Sequence, residues 1–180
     1  MKDTLKEILK TSIYFLIVLI FALLIVTFVG QRTVVDGTSM INTLNDKDNL
    51  IVDKITYRFK DPQRFDIVVF PYAMGKRTYY IKRVIGLPGE TVFIDDNGVI
   101  YINDQVLVEN YGRETIERPG RANEKITLGP DEYFVLGDNR NDSVDSRFAS
   151  VGNVKRSEII GRAWFRIYPF NKMGLVNKKK

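Results

Sequence analysis

The sequence predicts a mostly β protein, with one compact antiparallel β domain behind a single N-terminal transmembrane helix. Three observations carry this expectation. A run of 21 uncharged residues lies between Lys10 and Arg32. The rest of the chain alternates short β-branched and aromatic runs with Gly, Pro, Asn and Asp breaks. A length of 180 residues leaves room for one domain and a small appendage, not for two ordinary domains.

The uncharged run, TSIYFLIVLIFALLIVTFVGQ over residues 11–31, would reach roughly 30 Å as a helix, the thickness of a hydrocarbon core. A helix apolar on every face does not suit the interior of so small a protein. A cleavable leader would be shorter and followed by a small-x-small site, whereas Phe28 and Gly30 occupy the nearest positions. Lys2, Lys6 and Lys10 precede the run, and Arg32 and then Lys47 follow it. The positive-inside bias therefore puts residues 1–10 in the cytoplasm and residues 32–180 outside.

Strands are expected at TVV (Thr33 to Val35), NLIVDKITYRF from Asn49, DIVVF from Asp66, and RTYYIKRVIGL from Arg77, the last stopped by Pro88-Gly89. TVFIDDNGVIYINDQVLVE, from Thr91, holds two hairpin signals, Asp-Asn-Gly and Asn-Asp. These mark a small accessory β-hairpin region at about residues 90–130. Asn110 to Glu124 is polar and punctuated by Gly and Pro, as a surface loop would be. EYFVLGD and EIIGRAWFRIYPF complete the strands. The aromatics of the last run, Trp164, Phe165, Tyr168 and Phe170, either close the core or meet a membrane interface.

Two absences narrow the chemistry. The chain has neither Cys nor His. That excludes disulfides, thiol catalysis, a Ser–His–Asp triad, and thiolate or imidazole metal sites. No metal or cofactor is expected. The net charge of +5 and pI near 9.3 come from basic residues spread along the chain, apart from Lys178, Lys179 and Lys180. Anionic lipid headgroups suit this distribution better than nucleic acid does.

With His and Cys excluded, lysine has to be considered as a base. It works near pH 8 only if desolvation lowers its free pKa of about 10.4 by roughly two units. Lys82 sits in the apolar run YYIKRVIGL, where alternation puts Tyr80 and Val84 on its face and Ile81, Arg83 and Ile85 on the other. An edge-strand lysine that blocks aggregation would look the same. Ser39 follows a strand end and Gly37, in a turn that can present a hydroxyl and its own N–H to one carbonyl. An ordinary loop serine would also fit. GDNRNDSVDSR, Gly137 to Arg147, lacks the Gly and Glu spacings of an EF-hand. It reads either as a solvated turn or as a hydrogen-bonded floor in which Ser143 orients Lys82 and Asp145 pairs with Arg147.

Taken together, GTSMINTL, FDIVVF, YIKRVIGLPGE and GDNRNDSVDSR, in that order behind an N-terminal anchor, resemble the bacterial type I signal peptidases over nearly the whole chain. The resemblance implies the signal-peptidase type of β fold. It also implies a membrane-bound serine endopeptidase that removes signal peptides from exported preproteins after a small-x-small motif. On it, Ser39 is the nucleophile and Lys82 the general base, with Ser143 orienting the lysine. Asp145, Arg147 and Arg83 give structural support, and Val35, Met40, Leu44, Tyr80 and Ile81 line small apolar pockets. Its partners are exported preproteins and the lipid bilayer of a bacterial cell, with no obligate protein partner inferred.

Departures from the family pattern stand at Gly37, where some relatives carry a hydroxyl, at Asn42, usually Pro, and at Phe65, usually Gly. Asn42 is expected to loosen the pocket, and Phe65 to alter the turn before Asp66. Two other readings remain. A self-cleaving Ser–Lys repressor-type peptidase does not suit the apolar N-terminal run. A non-catalytic membrane-tethered β module has no need to pair Ser39 with Lys82.

Overall fold

The computed structural model describes residues 2–28, 30–72 and 79–176, with side chains of the first helix described over 4–23. The expected strand start at Arg77 and the Lys178–Lys180 tail lie outside the described residues. Among the described residues, helix α1 (Lys2–Phe28) leads into twelve short strands and one further α-helical turn, α2 (Thr56–Phe59). Every strand pairing among the described residues is antiparallel.

The larger sheet contains β1 (Gly30–Val34), β2 (Asn49–Asp53), β3 (Ile67–Pro71) and β4 (Tyr79–Gly86). It is completed by β9 (Glu132–Leu136), β10 (Val154–Lys155), β11 (Gly161–Tyr168) and β12 (Gly174–Leu175). Its order is β1-β2-β11-β3-β4-β9-β10, with β12 on β11. Strand β11 thus lies between β2 and β3, joining two pairs that are consecutive in sequence. The smaller sheet, β7-β6-β5-β8, is built from β5 (Thr91–Ile94), β6 (Ile100–Ile102), β7 (Gln105–Val106) and β8 (Ile126–Thr127).

Apolar runs become central strands, as unbroken runs should. Ile67, Val68, Val69 and Phe70 are all buried, as are Tyr133 to Leu136. Asn103 and Asp104, with φ of 50° and 65°, make the two-residue β6–β7 turn, the geometry that twisted hairpins favour. One core cluster joins the small sheet to β4 and β9 through Ile85, Val92, Ile94, Phe134 and Leu136. Another packs Val35, Met40, Leu44, Leu50, Ile67 and Ala163 beneath the Ser39 turn.

Two local expectations are corrected. The run from Asn49 does not continue as a strand to Phe59. Asp53 accepts the N–H groups of Ile55 and Thr56 and the Thr56 hydroxyl, and this turns the chain into α2. Nor does the Phe65 side chain keep the turn before Asp66 from a left-handed backbone. Phe65 itself adopts φ 71°, the left-handed conformation glycine takes easily. Its ring lies 5.1 Å from that of Tyr111, and its carbonyl accepts from Arg83. Those contacts offset a left-handed backbone cost of about 1–2 kcal/mol.

Along α1 the apolar side chains from Ile13 to Leu23 are exposed. The described side chains of this helix include Lys6, Glu7 and Lys10, and no helix among the described residues is long and apolar enough to cross a membrane. Trp164, Tyr168 and Phe170 are 46%, 50% and 76% exposed, so they do not close the core.

Candidate active site

The site lies where the turn after β1 meets β4 and the loop after β9. Residues 40–44 form a hydrogen-bonded turn, with Thr43 and Leu44 N–H both donating to the Met40 carbonyl. One face of this turn buries Met40 and Leu44 together. Ser39 is left at the rim, half-buried. Its carbonyl accepts from Asn139 N–H at 3.0 Å, and the Asn139 side chain donates to the Thr38 carbonyl at 3.1 Å. The turn is thereby fastened to the 137–142 loop. Gly37 has φ 109°, and its N–H donates to Asp46.

Lys82 is supplied by β4, paired with Val68 of β3. It is 3% exposed, and its Nζ lies 2.7 Å from Ser39 Oγ. The amine also donates to the Ile81 carbonyl at 3.2 Å and stands 4.8 Å from the centre of the Tyr80 ring. Burial lowers its pKa from the ordinary value of 10.5 to about 8, although the charges of Asp145 and Asp138 pull the other way. An amine of this kind is often neutral in mildly alkaline water. Its lone pair can then accept the proton of the Ser39 hydroxyl.

The supporting charges are buried and paired. Arg147 holds Asp145 in a two-point ion pair at 2.8 and 2.9 Å, both side chains almost wholly inaccessible. Asp145 Oδ2 accepts the Gly137 N–H, which ties this pair to the loop facing Ser39. Arg83, adjacent to Lys82 on the opposite face of β4, makes a two-point pair with Asp138 at 2.8 and 2.6 Å. It also donates to Thr43 Oγ1 and stands over the Tyr111 ring, 3.7 Å from its centre. Ser143 is buried nearby, but its Oγ has no hydrogen-bond partner among the described residues, and Lys82 bonds to Ser39 instead. A Cβ on Gly137 would fall 2.2 Å from Ser143 Oγ and 2.5 Å from the Ser39 carbonyl. Glycine there is what lets these segments touch.

A cleft of about 480 Å³ opens over the dyad. Val35, Met40, Tyr80 and Ile81 line it, as do Ser39 and Lys82. Leu44, expected among them, does not; the turn after Met40 directs it inward, and it is wholly buried in the core. The Ser39 N–H has no protein acceptor among the described residues, which leaves it available to an oxyanion. Gly37 offers no side-chain donor, and the Thr38 hydroxyl is engaged by Asp142. The Ile41–Asn42 peptide is cis.

Asp138, Asn139 and Thr43 were not singled out from the sequence. The signal for Asp138 was a second carboxylate in GDNRNDSVDSR that a buried arginine needs. No signal marked Thr43 or Asn139. Among the described residues no group of acidic side chains could hold a metal ion.

The chain matches the family model described as signal peptidase, peptidase S26, over residues 6–168. It is 45% identical over 165 residues to signal peptidase I of Leptolyngbya laminosa, covering 86% of this chain and 77% of that protein. It is 36% identical over 180 residues to signal peptidase I S of Bacillus subtilis, covering 96% and 95% respectively. A crystal structure of a signal peptidase I from Enterococcus faecalis is 38% identical, covers 57% of this chain and 97% of that one, and has a TM-score of 0.45.

Proposed function

The chain belongs to the signal peptidase family, peptidase S26, and from that premise we propose that it removes signal peptides from exported preproteins by a Ser–Lys mechanism, cutting after a small-x-small motif. The observation that carries the mechanism is the 2.7 Å approach of Lys82 Nζ to Ser39 Oγ. In this reading the peptide lies extended in the cleft. Val35, Met40, Tyr80 and Ile81 select small side chains by excluding bulk.

Neutral Lys82 takes the Ser39 proton as Oγ attacks the scissile carbonyl. The Ser39 N–H stabilises the oxyanion. The resulting ammonium then protonates the leaving amine, which departs as the new N-terminus and leaves an acyl-enzyme. Neutral again, Lys82 takes a proton from water, and hydroxide attack releases the acid and restores Ser39. Ser143 orients Lys82 when the amine turns from Ser39 to the leaving group. Asp145, Arg147 and Arg83 hold the two walls of the site in place.

The same reading anchors residues 11–31 in a bacterial cell membrane as a single span, with the N-terminus in the cytoplasm and the β domain outside. The uncharged run and the exposed apolar side chains of α1 support it. An anchored enzyme would meet a membrane-held signal peptide at high effective concentration. Exposed Trp164, Tyr168 and Phe170 suit an interfacial contact.

The test is cleavage of a preprotein by the full chain and by Ser39→Ala and Lys82→Ala, reconstituted in detergent or lipid. Cutting after a small-x-small site, lost by at least about 10³-fold in both folded variants, is expected. Equal behaviour of all three would return the protein to the non-catalytic membrane module.

A further inference from the structure

Beside the dyad, the cleft carries a negative charge that the Ser–Lys mechanism does not use. Asp142 lines the cleft with Ser39 and Lys82. Its carboxylate accepts a hydrogen bond from the hydroxyl of Thr38, the residue directly before the nucleophile. Asn139 Nδ2 approaches the same oxygen at 3.4 Å. Among the described residues no cation pairs with Asp142. The other carboxylate lining the cleft, Asp36, is already met by Lys47 at 2.6 Å.

Charges elsewhere in the cleft do not balance it. Lys82 is buried and has to be neutral to act, and the remaining lining is apolar or uncharged polar. A substrate backbone crossing Ser39 therefore passes an exposed carboxylate that has no cationic partner and is bonded to the residue before Ser39.

The side of the cut that feels this charge follows from size. In the peptidase reading the residues before the cut are small and lie against Val35, Met40, Tyr80 and Ile81, so a long cationic side chain is not expected there. Residues after the cut belong to the leaving strand. The small-x-small motif does not constrain them, and they can extend over the exposed Thr38–Asp142 rim. We propose that Asp142 is a specificity-determining residue that favours a cationic side chain, and disfavours an acidic one, in the first residues after the scissile bond. The inference rests on the peptidase reading above.

An exposed charge acting through water over a few ångströms changes turnover by a small factor and weakens as salt shortens the screening length. The test uses three preproteins identical except for Lys, Gln or Glu at the second position after the cut. The full chain in detergent cleaves them at low and at high ionic strength, and so does Asp142→Asn, whose amide oxygen still accepts from Thr38. The expected order of kcat/KM for the wild type is Lys, Gln, Glu, with a Lys-to-Glu ratio of about five to ten that shrinks in salt. In Asp142→Asn that ratio falls towards one.

Equal cleavage of the three substrates by the wild type overturns the charge preference and leaves the peptidase reading standing. A ratio that survives in Asp142→Asn at wild-type size assigns the preference elsewhere and overturns the role of Asp142. No cleavage of any substrate overturns the peptidase reading, and this inference with it.

Discussion

Lys82 Nζ and Ser39 Oγ meet at 2.7 Å across 43 residues of sequence, and among the described residues no carboxylate bonds to that amine. The lysine is therefore held by burial rather than by a counter-ion, and its pKa is about 8. Below that pH most of the base is protonated. The kcat/KM profile should rise about tenfold per pH unit up to about 8 and then level off. An optimum below about pH 6 would contradict this assignment.

The same burial costs stability. An unfolded lysine is protonated up to about pH 10.4, whereas the folded one resists protonation until about pH 8. The unfolded chain binds more protons between those values, so stability climbs with pH across that window and carries its full deficit below it. Lys82→Met should raise stability at pH 7 by about 1–3 kcal/mol, with a gain that shrinks towards about pH 10. Urea unfolding at the two pH values measures it, and a loss of stability at pH 7 would refute the burial argument.

Arg83 and Asp138 are both essentially inaccessible. Removing the acid strands a buried guanidinium, so Asp138→Ala should lose about 3–5 kcal/mol. Asp138→Asn, which keeps one acceptor, should lose less. Thermal or chemical unfolding ranks the two, and equal effects would show that the charge is immaterial.

Gly137 allows Ser143 and the Ser39 carbonyl to approach closely. Gly137→Ala forces both to shift, moving Ser39 relative to Lys82. A fall of about 10²-fold in kcat/KM is expected in a protein that still folds. Unchanged kinetics would mean that the loop yields elsewhere.

At Phe65 the usual order of substitutions should invert. Both Phe65→Ala and Phe65→Gly lose the ring contact with Tyr111. Only glycine is at ease at φ 71°, so the Gly variant should be the more stable by about 1 kcal/mol. Comparing the two midpoints in urea settles it.

Much of this arrangement was legible in sequence because it rests on local pattern. The unbroken apolar runs of β3 and β9, the Asn-Asp turn and the apolar setting of Lys82 are all written within a few residues. What escaped was long-range or hidden in side-chain geometry. The ending of β2 depends on where the Asp53 carboxylate points. Leu44 turned inward because residues 40–44 coil, and no pattern of alternation announces that. Phe65 reads as a residue unsuited to a left-handed turn until Tyr111 and Arg83 are seen beside it. The grip of Asn139 on the Ser39 turn spans a hundred residues and has no sequence signature.

The position of β11 gives the order of synthesis a consequence. The β1–β2 pair flanks the Ser39 turn, the β3–β4 pair carries Lys82, and what joins them edge to edge is β11, which follows both in sequence. Arg166 on that strand also holds the Thr43 carbonyl and pairs with Asp48, at the far end of the nucleophile turn. A chain that stops before residue 161 keeps the Arg83–Thr43 bond and the packing of Ile67 on Val35 and Leu50, but lacks the strand that joins the two hairpins edge to edge. The register between the Ser39 hairpin and the Lys82 hairpin is thus set by residues 161–168, the last of the three segments to be synthesised.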